Sequence, residues 1–148
     1  MTQLDLDRYV PFFLSSIGNK LSRGASRVYL ARFGVGVNEW RLLANLKVQG
    51  RATAGAICQA SGIDKAAASR AVGRLDALGC IDTIETRDGR ARLLALTPAG
   101  EALHDRIIDA ALERERVLLT GFDEAERAQL IELLRRLYTN VGVLDEDS

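Results

Sequence analysis

The sequence predicts a mainly α protein with a small β-wing, a winged helix-turn-helix carried between N-terminal and C-terminal helices. Three observations lead there. Residues 54–60 and 64–78 read as two short helices broken at Ser61-Gly62-Ile63. Residues 81–85 and 90–96 read as two strands folded at Arg87-Asp88-Gly89-Arg90, where Asp88-Gly89 is a strong hairpin signal. On either side of this stretch, apolar residues recur at helical spacing.

The elements follow in order. Over residues 7–33, Phe13, Ile17, Leu21 and Val28 recur on one helical face and Tyr29 widens it. Pro11 sits near the start, where a missing N–H is tolerated, and Gly34-Val35-Gly36 ends the helix. Asn38 reads as the N-cap of a helix over residues 39–48, with Trp40, Leu43, Ala44 and Lys47 along one face, Leu42 and Leu46 flanking it, and Gln49-Gly50 as the stop. Thr53 can cap the third helix. Asp64 can cap the fourth, with its acid at the positive end of the macrodipole, and Gly79 stops it. Ala68, Val72, Leu75 and Leu78 form an inward stripe on that helix. In the wing, Leu94 and Leu96 face one side and Leu93 the other.

Thr97 caps a fifth helix, with Pro98 in first position and Glu101 in the first turn, running to about Leu119. Gly121 breaks it. Asp123 caps the last helix, expected to reach about Asn140 with an apolar stripe of Leu130, Leu133, Leu134, Leu137, Tyr138 and Val141. The tail at 145–148 reads as frayed. The connections are short, so core helices and wing are expected to form one compact body.

At 148 residues the chain reads as a single domain, with a winged lobe at 36–97 and flanking helices at 1–35 and 98–144. Apolar residues make up 47% of the chain, enough for a core, yet no run approaches the roughly 20 residues that span a bilayer. The N-terminus has neither a basic n-region nor an apolar h-region, so a cytoplasmic protein with no membrane partner is expected. Cys58 and Cys80 suit a reducing compartment and read as buried, inert thiols. Net charge is zero but segregated: residues 19–51 carry seven Lys or Arg against one Glu, and residues 97–148 carry six against twelve acids. Screening confines each region's field to about 8–10 Å, so a basic surface can hold phosphate on a neutral molecule.

His104, the sole histidine, reads as a surface residue of the fifth helix. There is no His/Cys/carboxylate cluster for a metal, no nucleophile-base-orienter set and no phosphate-cradling glycine loop. The chain is therefore not expected to be an enzyme or to carry a cofactor.

Lys65, Ser69, Arg70 and Arg74 lie off the inward stripe of the fourth helix. Such a helix can enter a major groove while a wing reaches an adjacent groove or phosphates. Ser69 suits phosphate or base, and Arg70 and Arg74 suit phosphate or a bidentate guanine contact. Arg87, Arg90 and Arg92 stud the wing, where edge-strand charges also discourage aggregation. Phosphate repels Asp88, whose expected role is to accept from Arg90 or Arg92 and hold the tip. The pattern predicts a sequence-specific regulator binding double-stranded DNA; the alternative is a winged-helix protein-interaction module without sequence-specific DNA binding.

Glu39-Trp40-Arg41-Leu42-Leu43, the run from Asp64 to Leu75, Leu78-Gly79-Cys80-Ile81 and the run from Asp88 to Gly100 together resemble the MarR family of bacterial transcription regulators. The resemblance covers nearly the whole chain. It implies a homodimer built from the first helix and the last two, a pseudo-palindromic operator, and a repressor released by a small anionic aromatic effector. The family's wing tip more often shows Asp-Arg-Arg, where this chain has Gly89 in the middle, and Thr83-Ile84-Glu85 lacks the arginines common at the wing base. The run from Leu14 to Arg27 is similar to regulators of aromatic-acid breakdown, some of which answer to hydroxycinnamoyl-CoA thioesters. The family's effector pocket lies between the dimer helices and the DNA-binding lobe. That placement makes Phe13, Ile17, Arg23, Arg27, Trp40 and Arg41 ligand candidates, although Phe13, Ile17, Trp40 and Leu43 also read as plain core. A redox-sensing branch uses a cysteine in the first helix; this chain has none before Cys58, so oxidation sensing is not expected.

Overall fold

The computed structural model describes residues 1–144; the tail read as frayed lies outside the described residues. The described residues form six α-helices, one 3-10 turn and a three-stranded antiparallel sheet. The chain divides into two compact units, one from Met1 to Ala111 and one beginning at Leu112. The wing and the helices that pack around it lie in the first.

Helix α1 spans Val10–Phe33, three residues shorter at its start than the apolar spacing suggests. A helix reaching back to Asp7 would place the Pro11 ring against the Asp7 carbonyl. Leu6–Arg8 instead form a 3-10 turn capped by Asp5, whose carboxylate accepts from the Asp7 N–H at 3.0 Å. Gly34 ends α1 in the left-handed region at φ 77°. Helix α2 spans Val37–Gln49 with Gly36, not Asn38, as its N-cap. The orphan donors there are met otherwise: Gly36 N–H donates to Glu39 Oε2 at 3.1 Å and Val37 N–H to Ser26 Oγ of α1 at 3.1 Å. Asn38 accepts from Arg41 instead. The buried face of α2 is Glu39, Leu42, Leu43 and Leu46, while Lys47 is exposed.

Strand β1, Arg51–Ala52, pairs with β3 and has no signal in the periodicity, being only two residues long. Helices α3 (Ala54–Ser61) and α4 (Lys65–Ala77) follow, then β2 (Ile81–Glu85) and β3 (Arg92–Leu96). The sheet order is β1-β3-β2, with Ile81 opposite Leu96 and Glu85 opposite Arg92. Ala68, Ala71 and Leu75 form the buried face of α4. Leu78, expected on that face, lies past the helix end and is exposed. Helix α5 spans Pro98–Leu118 and α6 spans Glu124–Leu144, which runs past the expected Asn140.

One core joins Ala25 and Tyr29 of α1, the α2 leucines, Ile57, Leu75, Ile81, Leu94 and the α5 residues Leu103 and Ile107. His104 belongs to this buried α5 face and is not on the surface: it is 5% exposed and stacks on Trp40 at 5.3 Å. It sits in step with Gly100 and Ile107, at the spacing that buries one helix face. His104 Nδ1 lies 2.9 Å from Asp105 Oδ1, and this contact holds the Asp105 carboxyl below the usual carboxylate range. Cys80 is buried, which pushes its thiol up, but Cys58 is only half-buried, so the two do not share one environment.

Two apolar stripes find no burial in this chain. On α1, Phe12, Phe13, Leu14 and Ile17 are exposed, which corrects the reading of Phe13 and Ile17 as core. On α6, which has no buried residue, Leu133, Leu134, Tyr138 and Val141 are exposed.

A Cβ at Gly100 would overlap the Cys80 carbonyl oxygen and lie 3.0 Å from its carbon, both of them backbone atoms. Within a helix Gly→Ala ordinarily gains about 1 kcal/mol. Here overpacking reverses the sign, so Gly100→Ala should lose about 1–3 kcal/mol in urea unfolding. A neutral or stabilised variant would show that the wing root gives way easily.

Candidate nucleic-acid interface

Local chemistry builds the helix-turn-helix. Thr53 Oγ1 accepts from the Ala56 N–H at 3.1 Å and starts α3; Gly62, at φ 67°, ends it. Asp64 Oδ1 accepts from the Ala67 N–H at 2.8 Å and starts α4. With Ala68, Ala71 and Leu75 turned into the core, Lys65, Ser69 and Arg70 are left exposed. Beside them a recess of about 410 Å³ opens between α3 and α4, lined by Ala54, Gly55 and Cys58 on one side and Lys65, Ser69 and Val72 on the other. Its lining is mostly apolar.

Arg74 is exposed like the other three, and its guanidinium also engages the protein. Its guanidinium Nη2 donates to the Gly34 carbonyl at 3.0 Å, and its Nε lies 3.9 Å from Glu39 Oε1. The sequence sets Arg74 with Lys65 on one donor face, but the structure ties it back to the corner between α1 and α2.

The wing tip spans residues 86–91. Thr86 Oγ1 donates to Asp88 Oδ1 at 2.7 Å, and the same carboxylate oxygen accepts from the Arg90 backbone N–H at 3.1 Å. Asp88 therefore holds the tip as expected, through the Arg90 backbone and not through a guanidinium. Gly89, at φ 67°, makes the turn. Arg87, Arg90 and Arg92 are exposed, with Arg92 opposite Glu85 in the register.

The six ligand candidates are spread over α1 and α2. Phe13 and Ile17 are exposed, as are Arg23 and Arg27 further along α1. Trp40 meets Tyr29 edge-on at 6.3 Å and stacks on His104. Arg41 donates to Ser22 Oγ and Asn38 Oδ1, both at 2.9 Å. Trp40 and Arg41 thus have protein partners. Among the described residues no His, Cys, Asp and Glu cluster could hold a metal, and no helix is long and apolar enough to cross a membrane.

A helix-turn-helix with an exposed donor face beside an arginine-bearing wing defines a winged-helix transcriptional regulator. The model of the MarR family matches residues 33–91. A MarR/EmrR family transcriptional regulator from Acinetobacter sp. ADP1 has 34% identity, covering 94% of this chain and 99% of its own, with a TM-score of 0.87. A MarR family regulator from Silicibacter pomeroyi matches with a TM-score of 0.83 at 23% identity, covering 95% of this chain and 97% of its own. Bordetella bronchiseptica BpsR, whose DNA binding is regulated by 6-hydroxynicotinic acid, matches at 25% identity with a TM-score of 0.64, covering 82% of this chain and 98% of its own. No match was found among curated proteins. The chain belongs to the MarR family of transcriptional regulators.

Two donors, Thr86 first and then the Arg90 N–H, lower the Asp88 carboxyl below its ordinary value of 3.8. A depressed folded-state value means that this contribution to tip order is complete above the ordinary value and is lost as pH falls through the depressed one. Amide exchange at Arg90 should therefore be unchanged from about pH 7 down to about pH 4 once intrinsic rates are removed, and should accelerate only as the pH falls below the ordinary value of 3.8. Asp88→Ala should give the fast rate at neutral pH. Equal protection in the variant would mean the carboxylate does not order the tip.

Proposed function

We propose that the protein is a dimeric, sequence-specific DNA-binding repressor that a small anionic aromatic ligand, or its CoA thioester, releases from a pseudo-palindromic operator. The observation that carries this is the exposed Lys65-Ser69-Arg70 face of α4, backed by buried Ala68, Ala71 and Leu75 and set beside an ordered wing with Arg87, Arg90 and Arg92. In this reading α4 enters the major groove and the wing arginines meet the adjacent groove or phosphates. Residues 36–97 serve as the DNA-binding lobe.

Dimerisation is supported by the unburied stripes of α1 and α6. Apolar surface left in water forgoes about 25 cal/mol per Å², so a second copy covering both stripes gains appreciably. Two α4 helices would then sit about 34–36 Å apart, one turn of duplex. A ligand need only favour a dimer with the wrong spacing. About 1.4 kcal/mol of differential binding shifts occupancy tenfold. The response of BpsR to 6-hydroxynicotinic acid supports an anionic aromatic effector here, where Arg23 and Arg27 offer exposed cations for a carboxylate or CoA phosphate.

Binding to a duplex selected from a random pool, against a scrambled duplex over a salt series, tests the DNA reading. Selected sequence should be preferred by at least about 10³-fold, with log affinity falling steeply against log salt. Arg70→Ala should cost about 1–3 kcal/mol at one base pair if it reads guanine, or flatten the slope by about one unit if it holds phosphate. Equal affinity for both duplexes, with a flat slope, would sink the proposal.

Ile17→Asp and Leu134→Asp address the dimer. Light scattering should show the wild-type chain at twice its monomer mass and each variant shifted toward monomer. A monomeric wild type at micromolar concentration would contradict the interface.

A further inference from the structure

We infer that Arg74 is a positioning residue that fastens α4 to the corner between α1 and α2, and that it makes no phosphate contact. The inference rests on the DNA-binding reading of α4 and gives Arg74 a different role from Arg70 within it. At the corner, three helices supply one side chain each to a short stretch of backbone. Arg74 of α4 donates to the Gly34 carbonyl at 3.0 Å, Glu39 of α2 accepts from the Gly36 N–H at 3.1 Å, and Ser26 of α1 accepts from the Val37 N–H at 3.1 Å. The second Glu39 oxygen lies 3.9 Å from Arg74 Nε. Glu39 is 9% exposed, so its carboxylate is removed from water and needs the charge and donors that surround it. The corner is also tightly filled: a Cβ on Gly36 would meet Glu39 Oε2 at 3.1 Å and Ser26 Oγ at 3.5 Å.

Helix geometry sets Arg74 apart from Lys65 and Ser69, roughly 180° and 140° around α4 at about 100° per residue, but leaves it roughly 40° from Arg70. What distinguishes Arg74 from Arg70 is its own hydrogen bond to the Gly34 carbonyl, made while the side chain stays 52% exposed. Through that bond a movement of the α1 end reaches the DNA-reading helix directly.

Arg74→Gln, Arg74→Lys, Glu39→Gln and the Glu39→Gln/Arg74→Gln double variant test this. Each is titrated with the pool-selected duplex and with a scrambled duplex over a salt series, after thermal unfolding has confirmed a folded chain. Arg74→Gln should weaken binding to the selected duplex about tenfold, leave the scrambled duplex within about twofold, and keep the salt slope of the wild type. Glu39→Gln, whose side chain is buried, should give the same pattern, and the double variant should be no worse than the weaker single, because the two act through one contact. Arg74→Lys, which keeps a donor and a charge, should recover most of the affinity. In DNA-free protein, amide exchange at Gly36 should accelerate in Arg74→Gln and in Glu39→Gln. A slope reduced by about one unit with both duplexes weakened alike would make Arg74 a phosphate contact and overturn the inference. So would wild-type behaviour of Glu39→Gln in both binding and exchange. If the wild-type chain prefers neither duplex, the DNA reading itself fails, and unchanged Gly36 exchange in Arg74→Gln would then overturn the fastening separately.

Discussion

The wing is held at its root by the backbone of Gly79 and Cys80, and the placement of everything around α4 depends on that contact. Cys80 O accepts from the Thr97 N–H at 3.0 Å, and Thr97 Oγ1 donates to the Gly79 carbonyl at 2.6 Å. The same hydroxyl accepts from the Gly100 N–H at 3.1 Å, which starts α5. Cys80 N–H in turn donates to Leu75 O of α4 at 2.9 Å. The end of α4, the start of β2, the end of β3 and the first turn of α5 therefore meet at two residues. The approach is possible only because position 100 lacks a Cβ. A hairpin joined to the body by flexible linkers would sweep its arginines through a wide arc. This one leaves the body at a direction set by α4, so helix and wing present donors in one fixed relation, the kind of preorganisation that lowers the ordering cost of binding.

The other flank of α4 is governed by small residues. Ala68 and Ala71 are the buried contacts on its first half, and small side chains let neighbouring backbone come close. Close packing on one face leaves no freedom to rotate the helix about its axis without opening voids or forcing overlap. The exposure of Lys65, Ser69 and Arg70 is thus a consequence of what lies behind them. The bond from Arg74 to the Gly34 carbonyl acts in the same sense at the far end of the helix.

What is legible in the chain is mostly what is decided within four residues. Thr53, Asp64 and Asp123 each accept from a backbone N–H three residues on, and each is visible as a capping residue ahead of an apolar run. The glycine stops at Gly34, Gly50, Gly62 and Gly79 all adopt positive φ, as their positions suggest. What is not legible is decided across longer separations. Half of the α2 cap is local, from the Gly36 N–H to Glu39 three residues on, but the other half comes from Ser26, eleven residues upstream of the N–H it serves. Strand β1 is defined by its partner β3 and has no pattern of its own. His104 reads as a surface residue because its polar identity outweighs a spacing that already puts it in step with Gly100 and Ile107. The donor face of α4 reads as one set because polarity and spacing cannot show that Arg74, exposed like the others, also donates to the Gly34 carbonyl forty residues upstream.

The same distinction decides what the segregated charge means. Residues 19–51 look strongly basic, yet Arg41 is held by Ser22 and Asn38, and Lys47 lies 3.6 Å from Glu101 of α5. In the acidic C-terminal third some charges are paired, Glu113 with Arg116 and Glu115 with Arg127, while acids still outnumber bases two to one. Exposed pairs of this kind contribute little to stability, but they cancel field at short range. At the proposed DNA face the opposite holds. Asp88 points its carboxylate at Thr86 and the Arg90 N–H, so the tip's acid is engaged in the turn while its arginines remain exposed. A neutral protein can therefore carry a positive working surface because its excess of acids lies elsewhere along the chain. The quantity that matters for a polyanion is the net exposed charge within about one Debye length of α4 and the wing, not the sum over the chain.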